Sequence, residues 1–308
     1  MKNLNLFLIF CTLLTLSSPL YCDIDDDIFG LEDIDEPQEH PGPFRIEGEF
    51  DSVASTHFKK DGFRDQKMSF SNWRGSTGMA FCYLAYAREA YAAGVAYNYA
   101  RLCWDENPFF HQTDFSQVSF LLRLFSNRFC DWIWQGQLAV NVDANQWNFS
   151  YYTNYDLVLW GKYDYNDLTN LHLGVIVQTG MKMDRVYPVV GFDYKYNKCW
   201  KLNAVFPVNI SLEYCYDCCL TAALAMRFFD VRYRVNKNEN LSMGLFSYRN
   251  SGVEFALLYE DNPRLEGNIH VGSTLGGMLR ISDRDNKHPK HFKLEPALYV
   301  GGELVWSF

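Results

Sequence analysis

The chain has 308 residues, of which 48% are hydrophobic and 17% aromatic, and it carries a formal net charge of −9 at pH 7. Its mean hydropathy is only −0.22, so apolar residues must alternate with polar ones rather than gather in long runs. After the N-terminal run, no stretch offers about 18 uninterrupted apolar residues, which excludes a further membrane helix. We expect no nucleic-acid partner.

Residues 1–22 have the layout of a secretory signal peptide. Lys2 supplies a positive start, the segment from Leu4 to Leu16 is apolar, and small or turn-forming residues follow. This order of segments is typical of a cleaved export signal, and we expect cleavage after Cys22. The alternative is lipidation of Cys22, but Tyr21 before it is larger than the residue usual at that position.

Residues 23–43 differ in composition from everything after them. Nine acidic residues lie between Asp23 and Glu39 without a Lys or Arg among them, and three prolines lie close by. Such a segment cannot bury enough apolar surface to fold by itself. We therefore expect a flexible acidic periplasmic segment, which accounts for most of the net charge.

Residues 44–308 show an apolar period of two. From Phe292 to Phe308, the even positions are mostly apolar and every charged residue lies at an odd position. Strands of about ten alternating residues, separated by turn residues, are typical of transmembrane β-barrels. The pattern predicts an all-β fold, a transmembrane antiparallel up-and-down β-barrel of about 12 strands (range 10–16). A soluble exported β-sandwich is the rival fold.

Two Ala-rich stretches do not follow this pattern clearly. Helix propensity makes Gly78–Tyr99 and Cys219–Phe229 candidates for helices. In residues 219–235 the polar positions also change parity near Phe229, which indicates a bulge or a turn.

The C-terminal residues form a motif with an aromatic residue at the end and apolar residues at every second position before it. Val300, Leu304, Trp306 and Phe308 match this motif, and Gly302 departs from it. The motif resembles the β-signal of Gram-negative outer-membrane β-barrel proteins. That resemblance implies recognition of the last strand by the barrel-assembly machinery, an outer-membrane location and contact with outer-membrane lipid. The stretch Tyr187–Asp193 is similar to an uncharacterised outer-membrane barrel family of chlamydial type.

The polar faces of the predicted strands supply candidate channel residues. In a barrel of about 12 strands these faces point inward. The predicted lumen-lining residues are Arg123, Gln135, Asn141, Asp156, His172, Gln178, Asp193, Lys201, Glu213, Arg227, Lys293, Glu295 and Glu303. Their charges are mixed, so we expect at most weak ion selectivity.

Seven cysteines follow the predicted signal peptide, and an odd number leaves at least one without a partner inside the chain. They are Cys82, Cys103, Cys130, Cys199, Cys215, Cys218 and Cys219. In an oxidising compartment we expect disulfides, some of them to other envelope proteins as in Cys-rich chlamydial envelopes. Unpaired packing thiols are one alternative and metal or redox chemistry another. The spacing lacks a second Cys pair or a nearby His, so we expect no metal.

No catalytic motif is present in the sequence. None of the seven His residues has a Ser two positions later, the spacing of barrel lipid hydrolases, and no His-Glu-x-x-His, P-loop or Gly-x-Ser-x-Gly motif occurs. We therefore expect neither catalytic residues nor a cofactor. The leading hypothesis is a porin-like channel of low selectivity. The alternatives are a structural or surface-interaction envelope protein cross-linked through cysteines and a lipid-modifying enzyme.

Overall fold

The computed structural model describes residues 43–59, 62–84, 89–129, 132–146, 149–261 and 264–308. The predicted signal peptide lies outside the described residues, as does all of the acidic segment except Pro43. The described chain is all-β apart from one helical turn, and none of its helices is long and apolar enough to cross a membrane. The strands and the turn are β1 (Phe44–His57), β2 (Lys67–Leu84), β3 (Glu89–Trp104), β4 (Asp114–Phe129), β5 (Trp132–Asp143), α1 (Phe149–Tyr152), β6 (Thr153–Asn166), β7 (Thr169–Gly180), β8 (Arg185–Lys195), β9 (Trp200–Phe206), β10 (Asn209–Cys215), β11 (Leu220–Arg234), β12 (Leu245–Asp261), β13 (Leu265–Thr274), β14 (Met278–Ser282), β15 (Lys290–Lys293) and β16 (Leu298–Ser307).

The described strands form a closed antiparallel barrel. Each strand from β1 to β11 pairs with the next one, β11 pairs with β12, β12 with β13, β13 with β16, and β16 with β1. The ring therefore contains 14 strands, and β14 and β15 are not members of it. This confirms the predicted all-β up-and-down barrel. The expected number of about 12 strands is slightly too low, and 14 lies within the expected range of 10–16.

Two features of the sequence explain the low strand number. The Ala-rich stretches are strands, since β2 and β3 contain the described part of Gly78–Tyr99 and β11 begins at Leu220. Neighbouring strands on both sides supply their hydrogen bonds, and this tertiary context overrides helix propensity. The hairpin β9–β10 also turns at Pro207–Val208, where Pro207 is the one typical turn residue and neither position is Gly, Asn or Asp.

The short strands β14 and β15 continue the ladder of the ring past an interruption. β13 and β16 pair up to Ser273↔Leu298, and β14 and β15 resume the same register at Met278↔Lys293. The interruption contains residues 275–277 on one chain segment and 294–297 on the other. Gly276 has φ +98°, a left-handed conformation that favours glycine. The barrel wall therefore bends at this level.

The two ends of the barrel differ. The chain termini meet at one end, where Phe44 N donates a hydrogen bond of 3.1 Å to Phe308 O. Short connections such as 167–168, 196–199 and 216–219 lie at this terminal end, whereas longer loops such as 105–113 and 235–244 lie at the opposite, loop end. In outer-membrane barrels the short turns are periplasmic and the long loops extracellular.

The outer surface of the ring is apolar. In β16, Leu298, Val300, Leu304 and Trp306 are each more than half exposed, and the residues between them are buried or partly buried. The same alternation recurs on other strands, with exposed apolar residues at Leu122, Leu138, Leu157, Leu173, Val190, Leu212 and Phe255. The more apolar face of each of these strands therefore points outward.

Part of the wall folds into the barrel at the loop end. We call this part the inner sheet; it consists of residues 229–234 of β11, 245–250 of β12, and β14 and β15. Consecutive residues of a barrel wall should alternate between buried and exposed. In the inner sheet, Arg232, Tyr233 and Arg234 are all buried, as are Leu245 to Tyr248. Both of its faces are therefore covered by other parts of the barrel.

One face of the inner sheet packs against β1 to β4 in a cluster of apolar side chains, the apolar plug. Phe115 and Phe246 have ring centroids 4.5 Å apart, and Phe70 and Tyr248 are 4.6 Å apart. The plug includes Phe58, Met68, Phe70, Leu102, Trp104, Phe110, Phe115, Phe229, Tyr233, Val235, Phe246, Tyr248, Leu279, Ile281, Phe292 and Leu294. This cluster fills the loop end of the barrel, where most of the apolar core lies.

Close strand packing near the seam between β16 and β1 makes Gly301 sensitive to substitution. A Cβ atom at Gly301 would collide with Phe50 O and His270 Nε2, whereas a Cβ at Gly48 would meet nothing within 4 Å. We expect Gly301→Ala to lower the free energy of unfolding by about 1–3 kcal/mol, measured by urea denaturation in detergent. Gly48→Ala is the matched control on the paired strand. Equal stability of the two variants would contradict the packing seen at the seam.

Candidate functional site: the barrel interior

Most of the predicted lumen residues lie on inward-facing positions. These are Arg123, Gln135, Asn141, Asp156, His172, Gln178, Asp193, Lys201, Glu213, Arg227 and Glu303, which are buried or partly buried and alternate with outward-facing residues. Lys293 and Glu295 are exposed and lie at the interruption between β15 and β16. The sequence pattern continues through this interruption, but the wall bends there. Lys293 and Glu295 were predicted to line the lumen because the alternation of polar and apolar residues is not interrupted in the sequence.

A network of charged side chains lies on the inner wall near the seam. Arg227 Nε lies 2.8 Å from Glu254 Oε2, and its Nη1 lies 3.5 Å from Glu49 Oε1 and 3.6 Å from Asp51 Oδ2. His270 Nε2 lies 2.7 Å from Asp51 Oδ1. One guanidinium therefore balances carboxylates from β1 and β12. This links β11 to β1, which are not paired with each other.

A second polar group lies on the opposite part of the wall. Trp160 Nε1 donates a hydrogen bond of 3.0 Å to His172 Nδ1, and His172 Nε2 lies 2.8 Å from Asp193 Oδ2. The indole N–H is only a donor, so Nδ1 of His172 is an acceptor and its proton lies on Nε2. His172 thus donates to Asp193, and the ring is held between two neighbouring strands.

The second face of the inner sheet is polar and contacts β4 to β8. Arg232 Nη2 lies 2.9 Å from Asp156 Oδ1 on β6, and Gln117 Nε2 on β4 donates to Arg232 O at 3.2 Å. Arg185 on β8 contacts both carboxylate oxygens of Asp230. These contacts span the interior and join the wall strands β4, β6 and β8 to the inner sheet. Charge-assisted hydrogen bonds of this kind are stronger than neutral ones.

Arg234 ties together the loops at the loop end. Its guanidinium donates to the carbonyl oxygens of Tyr151 (2.5 Å), Met243 (2.5 Å), Arg284 (3.0 Å) and Met181 (3.3 Å). Arg234 is only 1% exposed. One buried cation therefore holds four separate loops against the end of the inner sheet.

The residues around this contact are also closely packed. Tyr152 is 1% exposed, and its hydroxyl lies 3.5 Å from Val235 O. Burial raises the pKa of the Tyr152 phenol. Arg232, Arg234 and Asp230 were not predicted from the sequence as interior residues. The available signal was the change of parity near Phe229, but β11 pairs with β12 without a bulge or turn. The parity changes because the strand leaves the wall and is covered on both faces.

The described cysteines lie mainly at the terminal end. Cys199, Cys215, Cys218 and Cys219 lie there, whereas Cys103 lies near the loop end of β3. Cys130 and the Cys82 side chain lie outside the described residues. Asp217, Cys218 and Cys219 have ligand atoms within 4.8 Å of one another. A structural zinc site requires four ligands, and this group offers three among the described residues.

Removal of the Arg227 charge should destabilise the barrel. Arg227→Met would leave partly buried carboxylates of Glu49, Asp51 and Glu254 facing one another. We expect a loss of about 3–5 kcal/mol in the free energy of unfolding, as for other broken buried ion pairs. Arg101→Met is the control, because Arg101 and Asp114 form an ion pair of 3.8 Å with both side chains exposed, and exposed pairs contribute little to stability. Similar losses in both variants, measured by urea denaturation, would contradict this ranking.

Comparison with known proteins finds relatives of low sequence identity and solved structures with low TM-scores. No family model matches the chain. An uncharacterised protein of Chlamydia pneumoniae is 25% identical over 308 residues, and one of Chlamydia trachomatis serovar D is 24% identical over 311, with 95% of both chains covered in each case. Among solved structures, an outer-membrane channel from Pseudomonas putida F1 has a TM-score of 0.49 at 7% identity, covering 90% of this chain and all of that one. The toluene transporter TodX of Pseudomonas putida has a TM-score of 0.34 at 8% identity, covering 87% and 90%. The strand pairing itself shows that the chain is a closed antiparallel β-barrel, and the relatives found are uncharacterised chlamydial proteins.

Proposed function

We propose that the protein is an exported outer-membrane β-barrel that acts as a porin-like channel of low selectivity, closed at its loop end in this conformation. The observation that carries the proposal is the ring of 14 strands with an apolar outer surface and a charged interior. Export by a cleaved signal peptide at residues 1–22 and an acidic periplasmic segment at 23–43 belong to the same proposal.

The exposed apolar surface supports a place in a membrane. Val186, Ile269, Leu298 and Trp306 are each more than half exposed, and similar residues surround the ring. Soluble monomers rarely expose continuous apolar surface of this extent, whereas barrels in a bilayer require it. The closed ring also satisfies the backbone hydrogen bonds that lipid cannot supply.

The strand that closes the ring supports a role in assembly. β16 pairs with β1 on one side and with β13 on the other. Its residues Val300, Leu304, Trp306 and Phe308 point outward and are exposed. We propose that the barrel-assembly machinery recognises this outward face before the ring closes.

The charges of the interior support low selectivity. Arg227 faces Glu49, Asp51 and Glu254, and further cations and anions lie on the same inner wall. A pore lined by both signs presents no single electrostatic barrier to cations or anions. Passage through the loop end requires displacement of the inner sheet and the apolar plug. The inner sheet is thus the proposed gate.

Weakening the polar anchor of the inner sheet should open the channel more often. Asp156→Asn keeps the shape of the side chain but removes the charge that faces Arg232. A loss of roughly 1–3 kcal/mol would shift the ratio of open to closed states by roughly 5–150-fold. We expect more frequent conductance steps in planar bilayers than with the unmodified barrel.

The matched control for this experiment is Asp193→Asn. Asp193 is also an inward carboxylate, but its partner is His172 on the neighbouring strand rather than the inner sheet. Its opening frequency should equal that of the unmodified barrel. If both variants stay silent although they are folded, the open-channel function is wrong.

A second candidate function rests on the cysteines at the terminal end. Cys199 and Cys218 are exposed and carry free thiols among the described residues. In an oxidising periplasm, exposed thiols at one end are suited to cross-links with other envelope proteins. We propose this envelope role as the alternative to conduction.

Serine variants test the cross-linking role. Non-reducing gels of whole envelopes should show disulfide-linked multimers that disappear with reductant. The double variant Cys199→Ser and Cys218→Ser should lose most of them, because it removes the two thiols that are exposed in the described part of the chain. Cys103→Ser near the loop end is the control and should retain them. Multimers that persist in the double variant would contradict cross-linking through this end.

A further inference from the structure

The bend of the wall leaves a cavity between the inner sheet and the inward-facing residues Gln178 of β7 and Tyr187 of β8. The inner sheet leaves the ring where β12 passes Asn250 and where the β13–β14 segment is interrupted at residues 275–277. The cavity beside this bend has a volume of about 600 Å³. Its size falls in the range of cavities that bind small molecules.

The cavity lies beside a gap in the wall above the short hairpin β9–β10. β9 pairs with β8 only from Val190 onward, so Arg185–Val189 of β8 has no strand on that side. β11 likewise has no β10 partner after Met226. The gap along β8 is five residues, about 16 Å at 3.3 Å per residue. Val186, which flanks the gap, is 65% exposed, so the apolar outer surface continues to this level.

The side of the cavity toward the gap is apolar. Phe206 and Pro207 at the hairpin tip line it, as does Phe228, whose ring centroid lies 5.9 Å from that of Phe206. Leu275 lines the other side and is 57% exposed. In a membrane these residues would form an apolar entrance from the lipid side.

The cavity also has a basic lining. Lys59, Arg249 and Lys293 contribute to it, and Asp230 is its one acidic lining residue among the described ones. Asp230 is already engaged by Arg185, with Arg249 Nε 3.7 Å from its Oδ2. The two lysines have no ion-pair partner in the described part of the chain. The lining is therefore positively charged overall.

Two polar atoms of the lining lack hydrogen-bond partners. Asn250 Oδ1 and Gln178 Oε1 are buried, and no donor among the described residues reaches either of them. Asn250 is only 8% exposed. Buried acceptors without donors are rare, since each lost hydrogen bond costs about 1–3 kcal/mol. A hydroxyl-bearing or hydrated head group in the cavity would satisfy both atoms.

We propose that this cavity binds an acyl chain with an anionic head group, which enters from the surrounding membrane through the gap above β9–β10. The acyl chain lies against Phe206, Pro207 and Phe228, and the head group lies against Lys59, Arg249 and Lys293. The inference requires the barrel to lie in a membrane, but it does not require the barrel to conduct. Its failure and the failure of the channel function are therefore distinguishable.

Photo-crosslinking in lipid nanodiscs tests this inference with the folded barrel purified from envelopes. One probe is a palmitic acid analogue with a terminal diazirine, and the second is a phosphatidylglycerol analogue with the diazirine on one acyl chain. The third is a trimethylammonium amphiphile of the same chain length. Mass spectrometry then locates the labelled peptides. We expect an anionic probe to label peptides that contain Phe206–Val208 or Phe228 at least about fivefold more than the cationic probe does.

The two anionic probes distinguish the source of the ligand. Labelling by the palmitic acid analogue alone supports a free fatty acid. Labelling by the phosphatidylglycerol analogue supports a lipid of the surrounding leaflet. Equal labelling by the cationic probe would overturn the proposal, as would labelling spread evenly over the apolar outer surface.

Two pairs of variants separate head-group binding from general contact with lipid. The double variant Lys59→Gln and Lys293→Gln should reduce labelling by an anionic probe about fivefold. Lys198→Gln with Lys237→Gln is the control, because both of these lysines are exposed and neither of them lines the cavity. Leu275→Trp should block the cavity, and Leu298→Trp is its control on the outer face of β16. Labelling that is unchanged in both test variants would overturn the proposal.

Discussion

Closure of the backbone hydrogen-bond ladder is the constraint on which the rest of this structure depends. A sheet with 14 strands has no free edge only if its last strand pairs with its first, and β16 does so along nine consecutive residue pairs with β1. Once the ring is closed, every strand has one face outside and one inside, so the period of two in the sequence becomes an apolar surface and a charged interior. The tight approach at Gly301 follows from the same closure. Gly301 of β16 pairs with Asp51 on one side and with His270 on the other, and the side chains of these two residues contact each other.

The ring does not enclose an empty cylinder, because the wall supplies its own filling. β11 and β12 are longer than their neighbours β9 and β10, and the excess length turns inward as the inner sheet. Its apolar face is covered by β1 to β4 and its polar face by β4 to β8, so the sheet is held by packing on one side and by charge pairs on the other. Burial of Arg232 and Arg234 is tolerated because Asp156 and backbone carbonyls satisfy their guanidinium groups. A separate plug domain is therefore not needed to close the loop end.

The sequence predicts the barrel well because alternation is a local property. The faces of β16, with Trp306 outward and Glu303 inward, follow directly from it, and so do the inward positions of Arg227 and Asp193. The inner sheet could not be predicted in this way, since whether Tyr233 and Arg234 are covered depends on strands far away in the sequence. The change of parity near Phe229 marks the position at which β11 leaves the wall, but the sequence does not show why the parity changes there. Lys293 likewise keeps its parity in the sequence although the wall bends beside it, and the short hairpin β9–β10 has only Pro207 as a turn signal.

The bend joins the proposed gate to the proposed lipid cavity through shared residues. Asp230 and Arg249 belong to the inner sheet, line the cavity and form part of the charge cluster around Arg185. If the inner sheet moved outward to open the lumen, residues 275–277 would have to move with it, and the cavity beside them would narrow. An occupant of the cavity would then favour the closed barrel in proportion to its difference in affinity for the two states. Binding of lipid in this cavity and closure of the loop end would thus be linked through the same strands.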